Sequence, residues 1–189
     1  MTTQAPASPV LQVAEYILSR LTTYFGDRPD HFSAFMDGNV RAEGWLPAEA
    51  FSALSGPSVS RAFRITHVRG KVQGEAKFNP DLELAIGEEV HQLAIVPALT
   101  SPDEPLSLLL DTRLREAFEW VGKLKARALL YLLAFPAGLA HPEWMTALAK
   151  AQEQYQAKAM GQMEFVIPRP PRPMLRASAA LLLHASRLL

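Results

Sequence analysis

Residues 77–99 read KFNPDLELAIGEEVHQLAIVPAL, and this stretch constrains the fold more than any other. After Pro80-Asp81, the apolar residues Leu82, Leu84 and Ile86 alternate with Glu83 and Ala85. A tight GEE turn follows, and then a second β-like run from Leu93 to Val96. Successive side chains on a strand point to opposite faces, so alternation with period 2 marks a half-buried strand. Gly87 between two such runs predicts a hairpin. Upstream, Val59 to Val72 also alternates, with Phe63 and Ile65 on one side and Arg64, Thr66 and His67 among the others. Together these runs predict three successive strands, most simply an antiparallel meander. An acidic residue at the mouth of the first strand of such a hairpin, here Asp81, can serve as a metal ligand.

Helical spacing dominates on both sides of the meander. Pro9 to Phe25 carries apolar residues at Val13, Tyr16, Ile17, Leu21 and Tyr24, the pattern of an amphipathic helix, and Asp27-Arg-Pro-Asp30 breaks it. A second helical region contains Phe32, Phe35 and Met36. The segment Glu43 to Leu54 follows, with Pro47 where a first helical turn tolerates it, and Gly56-Pro57 stops that helix. Beyond the turn-rich loop Thr100 to Pro105, a long helix is predicted from about Leu106 to Phe135, its second half (LKARALLYLLAF) apolar enough to be buried. A weakly capped helix from Pro142 to about Met160 and a short strand at Phe165 to Ile167 complete the expected domain, residues 1–167, behind a disordered leader over residues 1–8. Pro168-Arg-Pro-Pro-Arg-Pro173 reads as a stiff polyproline spacer, and Met174 to Leu189 as a helix apolar around most of its circumference.

Composition removes several function classes. The 189 residues are 49% hydrophobic and 20% charged, enough to bury a sizeable core. There is no cysteine, which excludes disulfides, thiolate zinc sites and cysteine nucleophiles and fits a reducing compartment. His31, His67, His91, His141 and His184 show no metal-ligand spacing, and no GxSxG, glycine-rich phosphate loop or GxGxxG occurs. Nucleophilic hydrolysis, nucleotide hydrolysis and dinucleotide chemistry therefore lack their parts. The N-terminus lacks a positive n-region with an apolar run, and no stretch of about 18 apolar residues occurs, so a soluble, cytoplasmic protein without membrane contact is expected.

Charge is balanced overall, with 19 basic and 19 acidic side chains, but unevenly placed. Residues 61–79 hold five basic and one acidic side chain, residues 80–119 two and nine, and residues 120–189 nine and three. Arg61, Arg64, Arg69 and Lys71 on the first strand and its turn, with Lys123, Lys125 and Arg127 further on, are the available phosphate partners for nucleic acid. Solvated helix faces and loops also collect charge without any partner.

The order helix, three-stranded meander, long helix, short strand, with EGWLPAEAFSAL, NPDLEL and HQLAIVPAL in turn, resembles a PD-(D/E)XK (restriction-endonuclease-like) nuclease domain over roughly residues 40–140. The resemblance implies an α/β fold, a small central mixed sheet flanked by helices. It also implies a divalent metal held by the aspartate after proline and by a glutamate of the next strand, with a lysine two residues on activating water and an acid on the first helix assisting. Pro80-Asp81 supplies the first half, and Glu43 or Glu49 the helix acid. The second half is missing: where Glu-x-Lys should lie the chain has Ala94 and Val96, which neither bind metal nor move protons. A Glu-x-Lys occurs instead at Glu75-Ala-Lys77, ahead of Pro80-Asp81.

Three functional readings follow. The favoured one is a nuclease-like but catalytically degenerate subunit that needs no cofactor and binds nucleic acid or a protein partner in a DNA-processing or genome-defence assembly. The second is an active Mg²⁺-dependent DNA endonuclease with Asp81, Glu75, Lys77 and Glu49 catalytic and Asp81 and Glu83 on the metal. The third is an adaptor or homodimer assembled through an apolar C-terminal helix over residues 174–189. Each candidate acid also has a structural role open to it: Asp81 as a turn cap, Glu83 as a solvent-facing strand residue, Glu43 and Glu49 as helix N-terminal charges.

Overall fold

The architecture is that of a computed structural model, which describes residues 9–38, 45–55, 63–67, 81–86, 88–100, 105–121 and 127–184. Three helices come first: α1 (Pro9–Gly26), α2 (Pro29–Gly38) and α3 (Trp45–Ser55). On α1, Val13, Ile17 and Leu21 follow one another at four-residue spacing and are buried, as are Ala14, Leu18 and Phe25, while Gln12, Glu15, Ser19 and Thr23 are exposed.

The meander forms as expected. Strands β1 (Phe63–His67), β2 (Leu82–Ile86) and β3 (Glu89–Leu99) pair antiparallel in chain order, with Ile65 opposite Leu84 and Leu82 opposite Leu93. Helix α4 (Leu106–Val121) then crosses over to β4 (Arg127–Phe135), which lies parallel to β3 from His91↔Arg127 to Leu99↔Phe135. After α5 (Pro142–Tyr155), a long hairpin of β5 (Ala157–Arg169) and β6 (Arg172–His184) closes the sheet, in the order β1-β2-β3-β4-β6-β5. The chain is thus a mixed α/β protein with helices on both faces of one mixed sheet. From α3 to β4 its element order is helix, meander, helix, strand.

Each face of the sheet carries its own core. Leu82, Leu84, Leu93, Ile95, Leu129, Tyr131, Leu133, Ala179 and Leu181 face α1–α3. Ala94, Val96, Leu130, Leu132, Ala180 and Leu182 face α4 and α5. On α4 the buried Leu106, Leu110, Leu114, Ala117 and Val121 keep a helical period. Helix α5 has Pro142 in its first turn and His141 before it with no side-chain capping bond, the weak cap that its sequence announces.

Several expectations are corrected here. The helix predicted from Pro142 to about Met160 ends at Tyr155, and the short strand predicted at Phe165 to Ile167 is the long β5. The predicted long helix over 106–135 stops at Val121, and its apolar second half is the central strand β4. The predicted spacer and C-terminal helix over 168–189 are likewise replaced within 172–184 by β6, which is hydrogen-bonded between β4 and β5. Pro170 and Pro171 form the two-residue turn of that hairpin, with Arg169 opposite Arg172. The apolar residues 177–183 satisfy themselves inside the molecule, so the dimer or adaptor built on a free helix over 174–189 loses its basis. Residues 185–189 and the leader 1–8 lie outside the described residues. No helix among the described residues is long and apolar enough to cross a membrane.

Candidate functional site

Asp81 stands where β3 outruns β2. Strand β2 ends its pairing at Leu82↔Leu93, so on that side β3 from Ile95 onward faces no strand among the described residues. The Asp81 carboxylate fills the gap: its Oδ2 accepts the Ile95 N–H at 2.6 Å, while the Asp81 N–H donates to the Leu93 carbonyl at 3.1 Å. A buried amide without an acceptor is costly, so this bond is a cap on the ladder. Burial pushes the Asp81 carboxyl up to about 6, and the Ile95 hydrogen bond opposes that rise.

Continuing the register by one step sets Asp81 beside Ala94. Ala94 and Val96, the positions the resemblance reserves for a glutamate and a lysine, are fully buried in the core under α4 and α5. Glu83 is paired with Gln92, whose Nε2 donates to its carboxylate at 2.9 Å. Glu49 belongs to the opposite side of the sheet, where α3 packs against the Leu82 and Leu84 face. Its carboxylate accepts the Tyr24 hydroxyl at 2.5 Å and lies 3.9 Å from Arg28 Nε. Glu49 is therefore on the other face of the sheet from Glu83, while Asp81 and Glu83 stand two residues apart at the start of β2. Among the described residues no three His, Asp or Glu side chains converge as a metal site. Glu43, Glu75 and Lys77 lie outside the described residues.

Of the predicted phosphate partners, Arg61, Arg69, Lys71, Lys123 and Lys125 also lie outside the described residues. Arg64 is the second residue of β1 and Arg127 the first of β4. Because β1, β3 and β4 run in the same direction, both residues sit at the same end of the sheet. Lys158, second residue of β5, enters from that end too, and so do Glu88 and Glu89 at the β2–β3 turn.

Two features were not read from the sequence. One is the Tyr24–Arg28–Glu49 cluster, in which the Arg28 guanidinium lies 3.5 Å from the Tyr24 ring centre. Burial first, then the bond to Glu49, raises the Tyr24 hydroxyl above its ordinary value. The i,i+4 spacing of Tyr24 and Arg28 was visible, but their acid comes from another helix. The other is a cavity of about 430 Å³ between α2 and the tip of the β5–β6 hairpin, lined by Asp30, Ser33, Arg169 and Arg172 with the neighbouring prolines. The Arg-Pro-Pro-Arg run was its only trace in the sequence.

Comparison with family models, with curated proteins and with solved structures returns no match for this chain.

Proposed function

We propose that this protein is a non-catalytic binding domain with the layout of a degenerate nuclease, acting on nucleic acid as one subunit of a DNA-processing or defence assembly. The observation that carries the non-catalytic half is the use of the Asp81 carboxylate as an acceptor for Ile95, beside Ala94 and Val96. A metal-activated hydrolysis needs several hard oxygen ligands around one ion and a group that moves a proton. Beside Asp81 the strand positions that the resemblance reserves for a glutamate and a lysine hold Ala94 and Val96, and the nearby Glu83 carboxylate accepts from Gln92.

The nucleic-acid half is supported by topology and charge. Arg64, Arg127 and Lys158 open three strands at one end of the sheet, and Lys123 and Lys125 precede β4 by four and two residues of chain. Contacts of this kind are sequence-independent and weaken steeply with salt, because each phosphate neutralised releases condensed counterions. The Glu88 and Glu89 charges at the same end limit the affinity. The choice of a DNA-processing or defence assembly rests on the nuclease resemblance.

Fluorescence anisotropy with single- and double-stranded DNA at low and high salt tests the reading. Weak binding that falls with salt, and falls further on charge reversal at Lys123, Lys125 and Arg127, is the expected result. No binding at micromolar protein and low ionic strength removes nucleic acid from the partner list. DNA cleavage with Mg²⁺ that vanishes in Asp81→Ala promotes instead an active nuclease using Asp81 with Glu75 and Lys77.

A further inference from the structure

Aromatic rings gather at the end of the sheet where the basic strand starts lie. Helices α4 and α5 each join two strands that point the same way, so both run back to the end at which β3, β4 and β5 begin. There Phe118 of α4 and Tyr155, the last residue of α5, lie face to face, with ring centres 4.5 Å apart and planes 12° from parallel. The His184 ring at the end of β6 stands 6.1 Å from Phe118. Phe118 is buried at 5% exposure, whereas Tyr155 is only half-buried. Since Phe118 covers one face of the tyrosine ring, the part that reaches solvent belongs to the other face and its edge.

The backbone holds that ring in place. Gln156 takes the left-handed conformation, φ 53°, and its N–H bonds to the Ala151 carbonyl, so α5 stops there and β5 starts at Ala157. One linking residue and a stacked neighbour leave Tyr155 little freedom to lose on binding. Leu129, Leu183 and Lys158 are in register across β4, β6 and β5. Arg127, two residues before Leu129, therefore stands level with Gln156, two strand spacings or about 10 Å away. Lys158 is exposed, three residues beyond Tyr155.

Charge alone attracts a phosphate backbone weakly here, because Glu88 and Glu89 lie at the same end and Glu153 is exposed beside Tyr155. A ring that ends a stack gains from a partner with a free π-face. An unpaired base offers one, while a base inside a duplex has both faces covered by its neighbours. Resting on the nucleic-acid reading above, we infer that this end of the sheet takes single-stranded DNA, with an unpaired base on the outer face of Tyr155 and the flanking phosphates at Arg127 and Lys158. Phe118 positions the tyrosine from behind. Any base can occupy the platform, since all four have a π-face.

Fluorescence anisotropy of the full chain at low salt decides the matter, with labelled oligo-dT, an abasic strand of the same length and a duplex of the same length. Oligo-dT should bind tightest. Tyr155→Ala should weaken it about tenfold, to the level of the abasic strand, the loss of one stacked base. Tyr155→Phe keeps the ring and should bind oligo-dT like the parent. Tyr155→Leu keeps apolar cover over Phe118 without a ring and should be as weak as Tyr155→Ala, so a folding defect of the alanine variant, read by circular dichroism, leaves the test intact. Oligo-dT bound no tighter than the abasic strand or the duplex, or bound unchanged by Tyr155→Leu, overturns the inference and leaves electrostatic binding standing. No binding of any of the three probes removes the nucleic-acid reading itself, and this inference with it.

Discussion

The Asp81 carboxylate and the Ile95 amide are joined across the mouth of β2 and β3 by a 2.6 Å hydrogen bond. This bond does for β3 what the next carbonyl of a longer β2 would do. It also places an ionisable group in a largely buried setting, and that has consequences for stability as well as for chemistry.

Burial raises the folded-state value of Asp81 from 3.8 to about 6. Between those values the folded chain binds more protons than the unfolded chain, so this group's contribution to stability is greatest in acid and falls as pH rises through about 6. The loss is on the order of 3 kcal/mol at neutral pH, at 1.36 kcal/mol per pKa unit. Asp81→Asn keeps an acceptor for Ile95 without the charge. Chemical denaturation should find it at least as stable as the parent at pH 7.5, with a flatter profile between pH 4 and 6. Asp81→Ala leaves the Ile95 amide unpaired and should be about 1–3 kcal/mol less stable than Asp81→Asn.

Strand β6 should be indispensable. It lies between β4 and β5, with Leu181 and Leu182 fully buried on opposite faces. A chain ending at Ile167 should be unfolded by circular dichroism, since both neighbouring strands lose their ladder. In the full chain Leu181→Ala should cost about 2–5 kcal/mol in denaturant midpoint analysis. A cooperatively folded, monodisperse 1–167 fragment is the contrary result.

Gly161 lets α1 approach the edge strand. A Cβ there would lie 2.8 Å from Leu18 Cδ2, closer than atoms pack. Leu18 is itself buried, so it has little room to turn away. Gly161→Ala should destabilise by about 1–3 kcal/mol through overpacking. Combined with Leu18→Ala, the added methyl should fill part of the space vacated, and the double variant should be less destabilised than the two single effects added together.

Where the sequence was legible and where it was not has a physical reason. The meander was readable because polar Glu83 and Gln92 interrupt the apolar residues of β2 and β3. On β4 and β6 no such marker exists. Leu129 to Phe135 and Ala177 to Leu183 are covered by helices on both faces, so nearly every position is apolar and the period of 2 disappears. Runs of leucine and alanine then favour a helical reading on propensity alone. The four prolines suggested a spacer, yet three of them, Pro168 on the edge strand β5 and Pro170 and Pro171 in a turn, sit where a missing N–H costs little. For the site, Pro80-Asp81 was found in the sequence as a strand opening. Its bond to Ile95 was not, because that depends on how far β3 extends past β2. The facing of Arg169 and Arg172 was equally hidden until the prolines between them became a turn.

The central claim is that Asp81 caps a strand and does not hold a metal. Titration of Mn²⁺ into the full chain and into Asp81→Asn at pH 7.5, followed by isothermal calorimetry, tests it most directly. The account predicts no saturable binding at millimolar metal and the same trace for both proteins. Stoichiometric binding by the parent chain that disappears in Asp81→Asn would contradict it.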